Sequence, residues 1–309
     1  MDKEVLITDI LMDELTEEKK HAVPAVSIGM PVYNGEKSIR EALDSLLAQT
    51  FTDFELIISD NASTDATESI CREYAARDSR INYVRQKENI GGCANFQFVL
   101  DKAHGRYFMW AAADDVRSTD FIKKNYYFLE KNSDFVASTS PVKFRGSEYD
   151  PSVMGDGPLT GVVEERMIRF FTSWWCHANG RYYSLIRLET LKACPYISTE
   201  FLGSDWAVVL FLASKGKLGR IDQGFVVFGT KGVSSSKNFF RIMRKRKIEW
   251  VLPFYELSCV TLSLTKEFRV GTKVRLWVFF AGFNLVAACA NLKREGIRIF
   301  SIVTGAREK

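Results

Sequence analysis

Between residues 25 and 115 short apolar runs alternate four times with polar or helical stretches, and this alternation restricts the possible folds more than any other feature. The runs 25–31, 54–59, 81–86 and 106–111 have strand length and end in small or polar residues. The stretch 36–49 places Ile39, Leu43, Leu46 and Leu47 at helical spacing. A second helix is expected over 65–77, with Ser63, Thr64 and Asp65 as capping candidates, and a third over 93–103. Repeated β-then-α units predict a mostly parallel, doubly wound sheet with a ligand crevice beyond the carboxyl ends of its strands.

The second half is less regular. A helix is expected over 117–132, a strand over 134–145 and a loop over 146–160. Further on come a helix 162–173, a strand 181–187, helices 189–193 and 204–215, and a strand 219–228. Helices 237–264 and 272–295 complete the chain. Residues 1–24 read as a short extension that could form an amphipathic helix through Val5, Leu6, Ile10, Leu11 and Leu15. The expected organisation is an extension 1–24 and an α/β unit 25–235 with halves 25–116 and 117–235. A basic, apolar helical region 236–309 follows.

Composition narrows the function classes. With 309 residues and 46% hydrophobic content, the chain can bury a large single core. Six scattered cysteines without a Cys-x-x-Cys pair, and only three histidines, make a zinc cluster an unlikely expectation and suggest reduced thiols. The N-terminal stretch is acidic and has no long apolar segment, so a secretory signal is not expected. These features point to a cytoplasmic protein.

The net charge of +4 hides an asymmetry. The first twenty residues carry seven acids against three lysines, whereas from Lys231 onward sixteen Lys or Arg face five Glu. The run 237–247 interleaves six positive charges with Phe239, Phe240, Ile242 and Met243, a pattern suited to an anionic membrane surface. Residues 276–292 are apolar but interrupted by Asn284 and Asn291, which favours an in-plane or core-packed helix over a membrane span. No reader motif for nucleic acid is present, so a nucleic-acid partner is not expected.

Candidate chemistry clusters at the strand ends. Pro31-Val32-Tyr33-Asn34 offers a rigid turn, an aromatic face and a short polar side chain, and Asp60-Asn61 ends the next run. Ala112-Ala-Asp114-Asp115 ends the fourth run and supplies carboxylates of the type that hold Mg2+ or Mn2+ beside phosphate oxygens. Glu200-Phe-Leu-Gly-Ser-Asp205-Trp206 precedes an apolar helix, and a carboxylate there could act as a general base. Plain capping and packing also account for each of these residues alone.

The blocks Val26 to Asn34 and Leu56 to Asp65, the Asp114-Asp115 turn and the Asp205 motif together resemble glycosyltransferase family two. The likeness runs from residue 26 to about 235. It implies a GT-A fold and an inverting, cation-dependent transferase using a nucleoside-diphosphate sugar. It implies that Asp60 accepts a hydrogen bond from base or ribose, and that Asp114 or Asp115 ligates Mn2+ or Mg2+. Asn89, Gly91 and Asn95 match the family's turn between the third strand and its helix, with Arg85 as a possible phosphate contact. Asp205 matches the catalytic base, with Trp206 as an apolar wall for a sugar ring, and Lys231 falls in a loop that covers the phosphates.

Two departures stand out: Ala112 replaces the first acid of the usual triplet, and Ser204 a frequent Glu. The implied acceptor is a glycan or lipid-linked hydroxyl in surface polysaccharide or lipopolysaccharide synthesis, with the enzyme peripheral at the inner face of the membrane. A sugar nucleotidyltransferase is the enzyme alternative, although the chain lacks the Gly-rich, Arg-containing loop after the first strand. A degenerate relative that binds nucleotide sugar without transfer is the other.

Overall fold

The computed structural model describes residues 23–145, 157–172, 179–229, 243 and 246–304, with the backbone alone for 291–304. Lys231, most of the basic run 237–247 and the N-terminal extension lie outside the described residues.

The first half follows the expected alternation. Strand β1 (Val26–Val32) leads to α1 (Ile39–Leu47), β2 (Phe54–Asp60) to α2 (Thr67–Arg77), and β3 (Ile81–Arg85) to α3 (Gly92–Asp101). Strand β4 (Tyr107–Trp110) then returns to the sheet centre. β1 lies between β2 and β4, parallel to both, and β3 extends the sheet beyond β2.

The second half departs from the sequence expectation at several points. A two-residue strand β5 (Val116–Arg117) precedes α4 (Phe121–Lys131). The expected strand 134–145 is two, β6 (Phe135–Thr139) and β7 (Val142–Phe144), with Pro141 between them. After α5 (Val163–Thr172), the expected strand 181–187 begins instead as a helical turn, α6 (Asn179–Tyr182), and only then becomes β8 (Leu185–Arg187). Following α7 (Leu188–Lys192) and α8 (Ser204–Lys215), the expected strand 219–228 is split into β9 (Lys217–Arg220) and β10 (Val226–Phe228). Gly224, at φ +71°, makes that split possible because a left-handed residue cannot continue a strand. The described part of 237–264 has a 3-10 turn Lys247–Trp250 and a helix α9 (Tyr255–Leu264), with Pro253 between them. A single long helix, α10 (Val270–Thr304), closes the described chain.

The main sheet has the order β3-β2-β1-β4-β8-β6-β9, and β5-β10-β7 form a second, smaller sheet. β8 runs antiparallel to both β4 and β6, and the remaining neighbours in the main sheet are parallel. This is the mixed, mostly parallel α/β architecture expected.

Side-chain alternation on β4 explains why both faces are covered. Tyr107 and Met109 join the core beneath α1, α2 and α4, with Val26, Ile28, Met30 and Leu43. Phe108 and Trp110 point the other way, into a core shared with α3, α5 and α8. Gly29 in the middle of β1 permits this second packing, because a Cβ there would lie 2.7 Å from Phe108 and Val99. Helices α9 and α10 contribute Phe254, Leu257, Leu276, Phe280 and Phe283 to that same core.

Candidate functional site

A cleft of about 580 Å³ opens where β1 and β4 end and α1 and α3 begin. Pro31, Tyr33, Asn34, Asn61, Ala112 and Asp114 are on its wall, together with Lys37, Asn95 and Tyr183. Parallel strands deliver these residues to one place because β1, β2 and β4 all finish at the same sheet edge.

Tyr33 is half exposed at the cleft. Asn34 occupies the left-handed region at φ 52°, which Asn tolerates, and its side chain is engaged. Its Oδ1 accepts the backbone N–H of Thr64 (2.9 Å), and its own N–H donates to Ser63 Oγ (2.9 Å). The residue therefore staples the loop after β2 to the end of β1. Ala62 in that loop is also left-handed, at φ 59°, without an Asn's capacity to compensate.

Asp60 sits one layer behind the cleft. It is fully buried and absent from the wall, where Asn61 stands instead. Ser63 donates its N–H to Oδ1 (2.8 Å), and the Tyr83 hydroxyl and Arg85 Nη1 each donate to Oδ2 at 3.0 Å. Burial, then the hydrogen bond to Asp60, raises the Tyr83 phenol. Arg85 is thus engaged with Asp60, and also with Glu68.

Asn89 and Gly91 shape the turn into α3 rather than the wall itself. Asn89 Oδ1 accepts from Asn61 Nδ2 (2.9 Å) and from the Gly91 N–H (2.9 Å), while Asn61 Oδ1 accepts the Ile90 N–H (2.8 Å). Gly91 requires its identity, since φ is +86°. Asn95 reaches the wall while exchanging two hydrogen bonds with Ser59.

The two acids after β4 separate into different environments. Asp114 is on the cleft wall and lies directly against Gly229, where a Cβ would fall 2.1 Å from Oδ2. Asp115 turns inward and is 4% exposed. Its Oδ1 accepts the Gly229 N–H at 3.1 Å, and its Oδ2 has no hydrogen-bond partner among the described residues. Burial pushes the Asp115 carboxyl up to about 6, opposed by Arg117 and the Gly229 N–H and assisted by Asp114. Arg117, itself buried, donates through Nη2 to the Trp110 carbonyl (2.9 Å). Burial holds the Arg117 guanidinium below its usual value, offset partly by Asp115.

Asp205 lies in the first turn of α8, after the left-handed Gly203, and is partly buried. It forms no ion pair among the described residues, and burial pushes its carboxyl up to about 6 against backbone hydrogen bonds from Trp206 and its own N–H. It is not on the cleft wall. Tyr183 connects it to the cleft: this ring lines the wall, and burial and then the charges of Asp115, Asp114 and Asp205 together raise its phenol. The charges of all three carboxylates thus act on one tyrosine, and of the three Asp114 shares the cleft wall with it. Trp110 stacks on the neighbouring Tyr182 at 4.6 Å and 4°, and Tyr182 packs edge-on to Tyr183.

Trp206 needs a correction. It does not offer a wall to a sugar ring but stacks on Phe254 (5.8 Å) and Phe283 (5.9 Å) and meets Phe170 edge-on. The α9 and α10 rings supply the apolar partner that the sequence reading had given to a ligand.

Sequence reasoning missed Asn61, Lys37, Tyr183 and Arg117. The dipeptide Tyr182-Tyr183 carries no local signal, because it reads as the start of a strand. Among the described residues no three His, Cys, Asp or Glu side chains form a ready-made metal cage. The carboxylate of Asp114 beside an open cleft does fit a divalent cation whose remaining ligands are phosphate and water oxygens.

The sheet order and this cleft beyond the strand ends define a GT-A-type fold. Residues 27–193, more than half of the chain, match the model of Glycosyl transferase family 2, and the chain belongs to that family. One relative is the "Putative teichuronic acid biosynthesis glycosyltransferase TuaG" of Bacillus subtilis strain 168. It is 34% identical over 110 residues, 36% of this chain and 44% of that protein. The chain spans about half or less of the length of the curated relatives it matches. Among solved structures, S. aureus TarS 1-349 with UDP-GlcNAc superimposes at a TM-score of 0.57 and 19% identity, covering 79% of this chain and 73% of that one. The mannosyltransferase PcManGT from Pyrobaculum calidifontis, in complex with GDP-Man and Mn2+, gives a TM-score of 0.55 at 14% identity over 90% of this chain and 76% of that one. At these identities the two structures speak for the fold.

Proposed function

We propose that this chain is an inverting glycosyltransferase that moves a sugar from a nucleoside diphosphate to a hydroxyl of a glycan or lipid-linked acceptor. One observation carries the reading: Asp114 faces an open cleft at the strand ends, and the charges of Asp115, Asp114 and Asp205 all act on Tyr183 of the cleft wall. The expected context is cell-surface polysaccharide or lipopolysaccharide synthesis, and the likeness to TuaG, a putative teichuronic acid biosynthesis glycosyltransferase, supports the polysaccharide part. The unit 25–235 would carry the chemistry, and 236–309 would attach it peripherally at the inner face of the cell membrane.

Pro31, Tyr33 and Asn34 hold the nucleoside at the cleft, and Asp60 with Arg85 buttresses them from behind. Asn89 and Gly91 fix the turn that presents Asn61. Asp114 would hold Mn2+ or Mg2+, which when bound would supply positive charge to offset that of the leaving diphosphate. Asp115 seats Gly229 and so the start of the loop bearing Lys231, whose ammonium acts on the phosphates as a point charge. As the acceptor oxygen bonds to the anomeric carbon and the bond to the diphosphate breaks, Asp205 takes the acceptor proton.

The test is a panel of UDP- and GDP-sugars with Mn2+, scored first by thermal shift and then by product analysis. Stabilisation by at least one donor, with transfer or donor hydrolysis releasing nucleoside diphosphate, is expected. No stabilisation by any donor would remove the reading. Stabilisation without turnover would identify a binding relative that does no chemistry.

A further inference from the structure

Helix α10 has two faces of opposite fate. Leu276, Phe280, Phe283 and Asn284 are buried against the α/β body. On the other side Val274, Trp277, Val278, Leu285 and Val286 are exposed, Trp277 at 58% and Val278 at 68%, a stripe recurring at helical spacing. A second exposed apolar group, Ile248, Trp250, Val251 and Leu252, precedes α9. The two groups are fastened together: Asn284 Oδ1 accepts the Phe254 N–H at 2.7 Å, and the Phe254 and Phe283 rings stack at 4.2 Å. Clustered water-exposed apolar side chains of this kind mark a contact with something apolar.

We propose that the outer face of α10, with the exposed turn 248–252, is a lipid-surface contact that lies in the plane of an anionic membrane. The segment Val270–Ala290 is long and apolar enough to cross a bilayer, with a mean hydropathy of 1.4. Spanning, however, would strip Asn284 of its bonds to Phe254 and Ser258 and withdraw three buried aromatic or aliphatic side chains from the core. Lying in plane leaves all of these intact. Lys247, Lys266, Lys273 and Arg275 lie in and beside these segments, whereas of the three acids between 246 and 290 Glu249 is buried and Glu256 is paired with Arg246. This charge selects the occupant. A second copy of the chain meeting this face about a two-fold axis would set like charges against each other, whereas anionic headgroups complement them.

The contact has a consequence for the site, and that consequence alone rests on the transferase reading. Trp206, the residue after Asp205, stacks on Phe254 and Phe283, whose own elements carry the exposed surface. The proposed base therefore stands one layer of rings from the membrane-facing helix, which suits an acceptor presented from a bilayer.

Flotation of the full chain with phosphatidylcholine vesicles, and with vesicles also containing phosphatidylglycerol, tests the proposal. Wild type should float with the anionic vesicles and be released by alkaline extraction. The double variant Trp277→Glu/Val278→Glu should bind roughly tenfold more weakly or less, and Lys273→Glu/Arg275→Glu should lose the preference for anionic lipid. Near-UV circular dichroism and nucleotide binding, unchanged in both variants, show that the body is intact. Failure of wild type to float, flotation equal in wild type and variants, or retention after alkaline extraction would each overturn the in-plane contact. So would a wild-type dimer that Trp277→Glu/Val278→Glu converts to monomer. Vesicle binding without nucleotide binding would leave this contact standing and remove the transferase reading instead.

Discussion

The carboxylate of Asp115 accepts the backbone N–H of Gly229 at 3.1 Å, a bond between the turn after β4 and the segment leaving β10. The pairing of β5 with β10, Arg117 opposite Val226 and Val116 opposite Val227, sets this distance. Two segments more than a hundred residues apart are thereby held together beside the cleft, and Asp114 on its wall rests against Gly229.

Gly229 is sensitive for that reason. In Gly229→Ala the new Cβ would lie 2.1 Å from Asp114 Oδ2 and force the carboxylate aside. Mn2+-dependent affinity for nucleoside diphosphate should fall about tenfold, a loss of about 1.4 kcal/mol, with little change in melting temperature. Calorimetric titration with and without Mn2+ checks this, and an unchanged affinity would detach Asp114 from the cation.

Asp114 and Asp115 should separate in the same assay. Asp114→Asn removes the carboxylate on the wall and should abolish the stimulation of nucleotide binding by Mn2+. Asp115→Asn retains a side-chain oxygen for the Gly229 N–H and should keep most of that stimulation. The reverse order would assign the cation to Asp115.

Asp205→Asn should lower transfer by about a hundredfold to ten-thousandfold while leaving nucleotide affinity nearly intact. In wild type, activity should rise with pH through about 6 as this carboxyl loses its proton. The same group bears on stability. Its folded value stands above the unfolded 3.8, so its favourable contribution is full below about pH 4 and is lost as pH rises through about 6. Above pH 7 the Asn variant should therefore be the more stable, by roughly 2 kcal/mol. Denaturant titrations at two pH values measure the difference, and equal transfer in the variant would take Asp205 out of the mechanism.

Ala62 holds a left-handed conformation at φ 59° that costs an L-residue with a Cβ about 1 kcal/mol. Ala62→Gly should recover part of that, offset by the greater freedom of glycine in the unfolded chain. The two terms nearly cancel, so the expected result is a stabilisation of no more than about 0.5 kcal/mol, read from the denaturation midpoint. A destabilised variant would mean that the loop after β2 relies on the alanine methyl.

The first four strands were legible because each is a short apolar run bounded by a turn and followed by a helix. Where one stretch was read as one strand, the chain breaks at Pro141 or turns at Gly224, and no periodicity announces that its halves belong to different sheets. The positions of Pro31, Tyr33 and Asn34 on the cleft followed from the end of the first strand, and the fourth strand end offered Asp114 and Asp115 without choosing between them. The inward turn of Asp115 did not, since two adjacent carboxylates look alike until burial separates them. Trp206 misled because an aromatic after an acid suits a sugar pocket as well as a helix interface.

The sequence by itself determined the α/β alternation, the parallel sheet edge and the kinds of residue gathered there, because hydrophobic period and strand-end chemistry are local. Only the tertiary structure decided which acid faces the cleft and which is buried, that Tyr183 joins the cleft wall, and that α10 packs one face and exposes the other. Those are contacts between residues far apart in the chain, and their outcome depends on which side chains compete for the same buried space.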